Sequence, residues 1–319
     1  RVLSLCVALL FPIAARADDD KGKWVPISAN VLAKVKPGYP GKTAGVAVDP
    51  ATGDVFMVVP DQGIWKSTDH GESFTRVDGK AIGGRCETGF ALNFDPAGKR
   101  LACFMIYGSC ATTEDGGKTW TAWKTNHLDF GAVDWSTTGK CYLAIRHEKN
   151  GTLTFSMDAG KSWTDLGTKF NRVGLFDDKI MVCGKAKGLV RSEDAGKTWT
   201  DVSDVTPPGY VMTVRDGIGY WPTEKGLLVS KDRGKTWAIQ GAAISAVHGP
   251  YFGKSADHMV VVGKDGFFET KDGGNEWKKV APLPEGFKAG GVGPNYAWDA
   301  ASDIFYASSM GKDTFRWKR

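Results

Sequence analysis

The chain has 319 residues, of which 42% are hydrophobic, so it is long enough for one large domain with a sizeable core or for two small ones. Its formal net charge is only +5, from 41 Lys and Arg against 36 Asp and Glu, and it has no basic tract; this balance excludes a typical nucleic-acid-binding protein. Glycine (41 residues) and tryptophan (12 residues) are abundant, a combination typical of all-β repeat folds.

The first 17 residues have the pattern of an export signal. Arg1 precedes an apolar run over residues 2–14, and residues 15–17 (Ala-Arg-Ala) fit a cleavage site. A run of about 13 apolar residues is shorter than a bilayer requires, so a membrane anchor is the less favoured alternative. We therefore expect residues 1–17 to be a signal peptide and residues 18–319 to be one mature domain without a membrane segment, secreted or periplasmic.

An eight-residue motif, Ser/Thr-x-Asp-x-Gly-x-x-Trp/Phe, recurs six times along the mature chain. We term it the Asp box. Its successive aspartates are 46, 43, 36, 38 and 40 residues apart, a period that matches one four-stranded blade of a β-propeller. The six aspartates are Asp69, Asp115, Asp158, Asp194, Asp232 and Asp272.

The residue types of the box predict a structural turn. The Asp carboxylate can accept hydrogen bonds from N–H groups of its own turn, and the Gly permits a positive φ. The closing Trp or Phe begins the next strand and packs between blades. One carboxylate per repeat is too few for calcium, which takes about six to eight oxygen ligands, so we predict neither a metal nor a cofactor at the boxes.

Short apolar runs predict four strands around each box, beginning with an innermost strand of small residues. This strand is expected at residues 44–48 in the first repeat, 88–92 in the second and 130–133 in the third. Small side chains suit strands that crowd together around a central axis.

Material at both ends of the chain predicts a seventh blade. Three more strands are expected at residues 290–292, 304–307 and 314–317, and the chain stops where a seventh box would begin. Residues 24–28 have the spacing of residues 199–203, which follow the fourth box. We therefore expect residues 24–28 to be the outermost strand of blade 7, which leaves no open sheet edge. Pro26 suits this place because one side of an outermost strand is unpaired.

The repeated box resembles that of the Asp-box (BNR repeat) β-propellers of the sialidase-like superfamily, and the likeness covers nearly the whole mature chain. The family includes sialidases, sortilin-type receptor domains, some glucanases and photosystem II assembly factors. It implies a propeller whose boxes lie on the outer rim, away from the ligand face. In size and repeat, the chain is most similar to the single-propeller assembly factors. The Phe/Tyr-Arg-Ile-Pro motif that supplies a sialidase's first arginine is absent before Asp69, so no catalytic residue is carried over.

Cysteine positions lead to one disulfide prediction. Export into an oxidising compartment permits disulfides. Cys86 precedes the expected inner strand of the second blade and Cys110 lies in one of its loops, so both should reach the same face and form a disulfide. Cys103, Cys141 and Cys183 fall on second strands, where a thiol is usually a small buried hydrophobe. Five free thiols are the alternative.

Two sets of loops should share one face of the propeller, namely the connections between blades and the loops between second and third strands. Such loops carry function in propellers. Basic residues outnumber acidic ones in them, which favours an anionic ligand; ordinary solvated loop charge is the alternative. The candidate ligand-binding residues are Arg85, Glu87, His127, Asp129, Arg146, His147, Lys185, Glu224 and Lys264.

These observations favour an exported, non-catalytic binding or assembly propeller whose partner is a protein, a glycan or an anionic small ligand. The alternative is a carbohydrate-active hydrolase of the sialidase-like type. Its paired carboxylates would be Glu87 with Asp129, or Glu224 with Asp265. A third hypothesis is peptide binding through the central channel.

Overall fold

A computed structural model describes residues 20–135 and 139–319 of the chain, and the predicted signal segment lies outside them. The described strands form seven four-stranded antiparallel sheets, and the innermost strands of neighbouring sheets contact one another around a central axis. The predicted seven-bladed, all-β propeller is therefore confirmed. The helix α1 (Ala29–Leu32) is a single turn. No helix within the described ranges is long and apolar enough to cross a bilayer.

In blades 1–6 the four strands follow one another along the chain from the axis outward, whereas blade 7 combines both chain ends. Blade 1 consists of β2 (Gly45–Val48), β3 (Val55–Val58), β4 (Ile64–Ser67) and β5 (Thr75–Arg76), and blade 2 of β6 (Leu92–Phe94), β7 (Leu101–Cys103), β8 (Ser109–Thr113) and β9 (Thr121–Asn126). Blade 3 consists of β10 (Leu128–Asp134), β11 (Cys141–Arg146), β12 (Leu153–Ser156) and β13 (Thr164–Gly167), and blade 4 of β14 (Arg172–Leu175), β15 (Met181–Gly184), β16 (Leu189–Ser192) and β17 (Thr200–Ser203). Blade 5 consists of β18 (Thr213–Arg215), β19 (Ile218–Thr223), β20 (Gly226–Ser230) and β21 (Ala238–Gln240), and blade 6 of β22 (Ala246–Phe252), β23 (Met259–Gly263), β24 (Gly266–Thr270) and β25 (Lys278–Pro282). Blade 7 consists of β26 (Asn295–Asp299), β27 (Ile304–Ser308), β28 (Phe315–Lys318) and β1 (Trp24–Pro26).

The N-terminal strand completes blade 7, as predicted. The innermost strand of this blade, however, is β26 (Asn295–Asp299) and not residues 290–292 as expected. β1 pairs antiparallel with β28, with Trp24 opposite Trp317. The indole of Trp24 packs 5.6 Å from that of Trp317 and 5.8 Å from the ring of Phe267. Arg316 is buried and donates to the carboxylates of Asp20 (2.7 Å) and Glu72 (2.6 Å), which ties blade 7 to the N-terminal segment and to the first box.

Each Asp box folds as the same turn between a third and a fourth strand. In the first box, the Ser67 hydroxyl accepts from the Gly71 N–H at 2.7 Å. Asp69 accepts from the N–H of Ser73 at 2.9 Å and from its hydroxyl at 2.6 Å, which confirms the predicted role of the carboxylate. The residue after each Asp also takes a positive φ, so two left-handed residues, with φ between 56° and 98°, make every box.

Glycine in the box is required by space as well as by φ. A Cβ atom on Gly71 would lie 2.6 Å from Cδ1 of Ile27, a residue that follows β1 of the adjacent blade 7.

Three basic side chains of third strands reach the Asp-box turns of neighbouring blades. Lys66, Arg191 and Arg316 donate, at 3.0, 2.8 and 2.9 Å, to the carbonyl of the residue after the Asp in the next blade's box. The boxes therefore join neighbouring blades as well as neighbouring strands.

An aromatic cluster fills the central axis; we term it the hub, consisting of Phe90, Phe130, Tyr210 and His248. The ring of Phe90 (blade 2) lies parallel to that of His248 (blade 6), with centroids 4.5 Å apart. Tyr210 (blade 5) packs 5.7 Å from Phe90 and 5.0 Å from Phe130. Because these rings meet across the axis, a peptide cannot thread through the channel at their level, which counts against the hypothesis of peptide binding through the channel.

The hub also explains an error in the predicted strands. Residues 88–92 were expected as the inner strand of blade 2, but β6 begins only at Leu92. The preceding residues turn into the axis, where a Cβ atom on Gly89 would lie 2.4 Å from the Pro294 carbonyl oxygen of blade 7. Their pattern of small and apolar residues serves the hub rather than a strand.

Removing the closing strand should destabilise the whole ring. We expect a chain that begins at Ala29 to unfold with a free energy lower by at least about 3 kcal/mol than one that begins at Asp20, because Trp24 loses its packing and β28 loses its strand partner. Thermal unfolding of the two chains, followed by circular dichroism, measures the difference. Equal midpoints would show that β1 does not close the ring.

A box carboxylate should matter most above the acid range. The hydroxyl and the N–H of Thr198 lower the pKa of Asp194 to about 2, so its stabilising effect is present above its ordinary pKa of 3.8 and is lost as the pH falls towards 2. We expect Asp194→Asn to lower the melting temperature at pH 7 by a few degrees and to have little effect near pH 2. Exposed Asp204→Asn is the control; equal effects of the two substitutions would contradict the role of the box.

Candidate binding face

One face of the propeller, here the loop face, carries the connections between blades and the loops between second and third strands. The strand order brings all nine predicted site residues to this face but does not gather them into one site. Arg85, Glu87, His127, Asp129, Arg146 and His147 belong to blades 2 and 3, whereas Lys185, Glu224 and Lys264 lie singly in loops of blades 4, 5 and 6.

An exposed stack of one guanidinium and two tyrosines marks the first part of the face. Arg85 Cζ lies 4.9 Å from the ring centre of Tyr39 and 4.7 Å from that of Tyr107. Tyr39 is 72% exposed and Tyr107 is 50% exposed, whereas the Arg85 side chain is mostly buried. Exposed tyrosine beside arginine is the composition of residues that dominate protein–protein binding.

A hydrogen-bonded chain of three side chains adjoins this stack. His147 Nδ1 lies 2.6 Å from Asp129 Oδ1, and His147 Nε2 lies 3.3 Å from the Tyr107 hydroxyl. The imidazole of His127 packs edge-on against Tyr107 at 4.7 Å. Tyr107 and His127, together with Glu148, take φ values between 53° and 56°. Left-handed backbone at non-glycine residues is costly and concentrates at functional sites.

Two carboxyl groups of this cluster are strained electrostatically. Burial raises the pKa of Glu87, against the lowering effect of Arg85, and burial likewise raises that of Asp129, against His147. Glu87 Oε2 and Arg85 Nε are 3.6 Å apart, and each is buried without a hydrogen bond. Charged groups desolvated in this way are typical of sites shaped for a ligand.

Other predicted residues are already engaged within the fold. Arg146, expected to contact an anion, donates to Asp165 at 2.7 Å and to the hydroxyls of Thr125 and Thr154. Asp265 accepts from Lys279 Nζ at 2.7 Å. By contrast, burial and, to a lesser extent, the charge of Asp129 raise the pKa of Glu87.

The predicted disulfide is wrong, because the five cysteines of the described ranges are all free, buried thiols. Cys86 Sγ contacts the Met105 sulfur at 3.9 Å, and Cys110 Sγ accepts from the Met105 N–H at 3.2 Å. Both residues therefore pack against Met105 instead of bonding to each other. Burial raises the pKa of Cys110 to about 12, which keeps this thiol protonated.

His127 and His147 do lie near each other, with ring centroids 5.9 Å apart. In residues 20–135 and 139–319, however, no group of three or more His, Cys, Asp or Glu side chains is arranged to hold a metal ion.

The sequence analysis did not identify the hub residues Phe90 and His248. Neither belongs to a repeated motif, and no local signal shows that residues of opposite blades meet.

Fold and face together define a single seven-bladed propeller with a structured loop face. Three solved structures share this fold. YCF48 bound to D1 peptide is 12% identical with a TM-score of 0.53, and the match covers 89% of this chain and 94% of that chain. YCF48 from Cyanidioschyzon merolae is 11% identical with a TM-score of 0.51, covering 92% and 98%. An ancestral GH74 enzyme is 16% identical with a TM-score of 0.50, covering 92% of this chain but only 46% of that one.

At these identities the likeness shows the fold alone. No protein-family model and no curated protein matches the chain.

Removing the strained carboxylate should stabilise the protein. Because the pKa of Glu87 is raised above its ordinary 4.5, ionising it costs stability as the pH rises past that value. We expect Glu87→Gln to raise the melting temperature at pH 7, with a gain that disappears below pH 4.5. Exposed Glu224→Gln is the matched control. A lower melting temperature for Glu87→Gln at pH 7 would show that the pair with Arg85 outweighs burial.

Proposed function

We propose that the protein is a non-catalytic binding propeller that holds a segment of a protein partner on its loop face. The observation that carries this proposal is the stack of Arg85 with the exposed rings of Tyr39 and Tyr107. Aromatic rings and a guanidinium supply large contact area with few rotatable bonds, which limits the entropy lost on binding.

The fold neighbours support a protein partner. One solved neighbour is described as bound to a D1 peptide, so a propeller of this fold holds a peptide. A glycan or an anionic small ligand is the alternative occupant of the same face.

The same proposal includes the location and the family. We propose that residues 1–17 direct export to the periplasm or the medium, and that the chain is an Asp-box propeller of the sialidase-like superfamily. The six boxes and the single propeller support the family assignment.

A random-peptide phage library selected on the folded protein tests the binding face. We expect peptides whose affinity, measured by fluorescence anisotropy, falls about tenfold or more in Tyr39→Ala and in Tyr107→Ala, since residues of this type dominate interfaces. Met157→Ala is the control: Met157 is 53% exposed but lies in an Asp box at the opposite face. The proposal fails if no peptide is enriched, or if the tyrosine variants, with unchanged melting temperatures, bind like the control.

The raised pKa values of Glu87 and Asp129, two carboxyl groups of the loop face, favour a second candidate function, a carbohydrate-active hydrolase. The Glu87→Gln variant separates the two functions. We expect no turnover of sialosides or aryl glycosides by the unmodified protein. Robust hydrolysis that is lost in Glu87→Gln would replace the binding proposal with the hydrolase.

A further inference from the structure

Arg172 is exceptional among the arginines of the protein. Nine of the ten arginines in the described ranges form an ion pair with a carboxylate, and Arg172 forms none there. It begins the innermost strand of blade 4, at the loop face. A desolvated cation is normally offset by an acid or by a bound anion.

The guanidinium of Arg172 is held in place but is not neutralised. Its Nε donates to the Pro207 carbonyl, and its Cζ lies 5.9 Å from the ring centre of Tyr210. The side chain is half-buried, and burial lowers its pKa. Anchored through Nε, the side chain keeps its two terminal nitrogens for a carboxylate, which can accept two parallel hydrogen bonds from an arginine.

An unsatisfied acceptor lies beside this donor. Asn171 Nδ2 donates to the Lys185 carbonyl at 3.2 Å, while Asn171 Oδ1 is buried without a hydrogen bond. Both side chains lie over Gly184, where a Cβ atom would be 2.6 Å from Asn171 Oδ1 and 2.9 Å from Arg172 Cδ. The backbone of Gly184 is not left-handed, so glycine is needed here for space.

The surroundings add positive charge. Lys185 Nζ lies 4.8 Å above the ring of Phe170. Lys185 and Lys187 take part in no ion pair among the described residues, so three cations at one end of blade 4 lack an acid. An exposed positive potential of this kind attracts an anion before contact.

We infer that Arg172 and Asn171 form a subsite for an acidic residue in peptide linkage, with its carboxylate on the guanidinium and its N–H on Asn171 Oδ1. A sulfate, or a phosphate without a proton on the facing oxygen, would satisfy Arg172 but would place a bare oxygen against Asn171 Oδ1, which needs a donor. The inference deepens the proposed function by naming the chemical group that the partner presents. A free N-acylated acidic amino acid carries the same group.

Side-chain NMR of the Arg Nε–Hε signals tests the subsite. The probes are acetyl-Gly-Glu-Gly-amide, its Gln counterpart, N-acetylglutamate and acetate. We expect the Glu peptide to shift the Arg172 signal with an affinity about tenfold or more above that of the Gln peptide, because one charge-assisted contact is at stake. N-acetylglutamate at equal affinity would identify a small ligand as sufficient, whereas weaker binding would favour a peptide segment. Both results support the subsite.

Three variants sharpen the test. Their binding is measured by fluorescence anisotropy of a labelled Glu peptide, with acetate as competitor, because replacing Arg172 removes its NMR signal. Arg172→Gln should abolish binding, Arg172→Lys should weaken it by losing the two parallel bonds, and Asn171→Ala should remove the preference for the Glu peptide over acetate. Arg215→Gln, which alters an arginine paired with Asp216 at the other end of an inner strand, should bind like the unmodified protein.

The possible failures are distinguishable. Equal shifts from the Glu and Gln peptides, or unchanged binding in Arg172→Gln at an unchanged melting temperature, would overturn the subsite. A library peptide that depends on Tyr107 but not on Arg172 would overturn the subsite and leave the proposed function standing. Binding that depends on Arg172 while the tyrosine variants bind normally would overturn the role of the Tyr39–Arg85–Tyr107 stack and leave the subsite standing.

Discussion

The pairing of the two chain ends in blade 7 is the contact on which the rest of the structure depends. Six blades are built from consecutive chain and could form as local units, but blade 7 is complete only when β1 joins β28. In blade 7 the third strand, β28, and the fourth strand, β1, are not consecutive in the chain, so no Asp-box turn joins them. Arg316 reaches forward from this blade to the first box, as Lys66 and Arg191 do from blades 1 and 4, so the seam has the same type of polar contact as interfaces within the chain.

The two faces use carboxylates in opposite ways. In the Asp boxes each carboxylate is surrounded by hydrogen-bond donors, and the pKa of Asp194 is lowered to about 2. At the loop face, Glu87 and Asp129 are desolvated with few donors, and burial raises the pKa of both. The repeated face therefore stabilises the fold, whereas the varied face bears charges that the fold alone does not satisfy.

Much of the fold was predictable because it is written in local, repeated patterns. The Asp box is a short-range hydrogen-bonded turn, so six copies of it determine six blades, and the Trp24 spacing reveals the seventh. The site was less predictable because it depends on long-range relations. Among the described residues, Arg146 has an acidic partner and Arg172 has none, which depends on where the acidic residues of other strands lie. The predicted Cys86–Cys110 disulfide is wrong, and both thiols contact Met105 instead. The strand predicted at residues 88–92 is wrong because these residues pack against blades on the far side of the axis.

The hub sets a diameter for the ring. Its rings stack across the axis from blade 2 to blades 5 and 6, and Gly89 leaves no space for even one carbon against blade 7. A ring of six blades would force these aromatic side chains into each other, and a ring of eight blades would pull them apart. The hub contacts therefore fit a ring of seven blades. A different number of blades would require simultaneous substitutions in several distant blades.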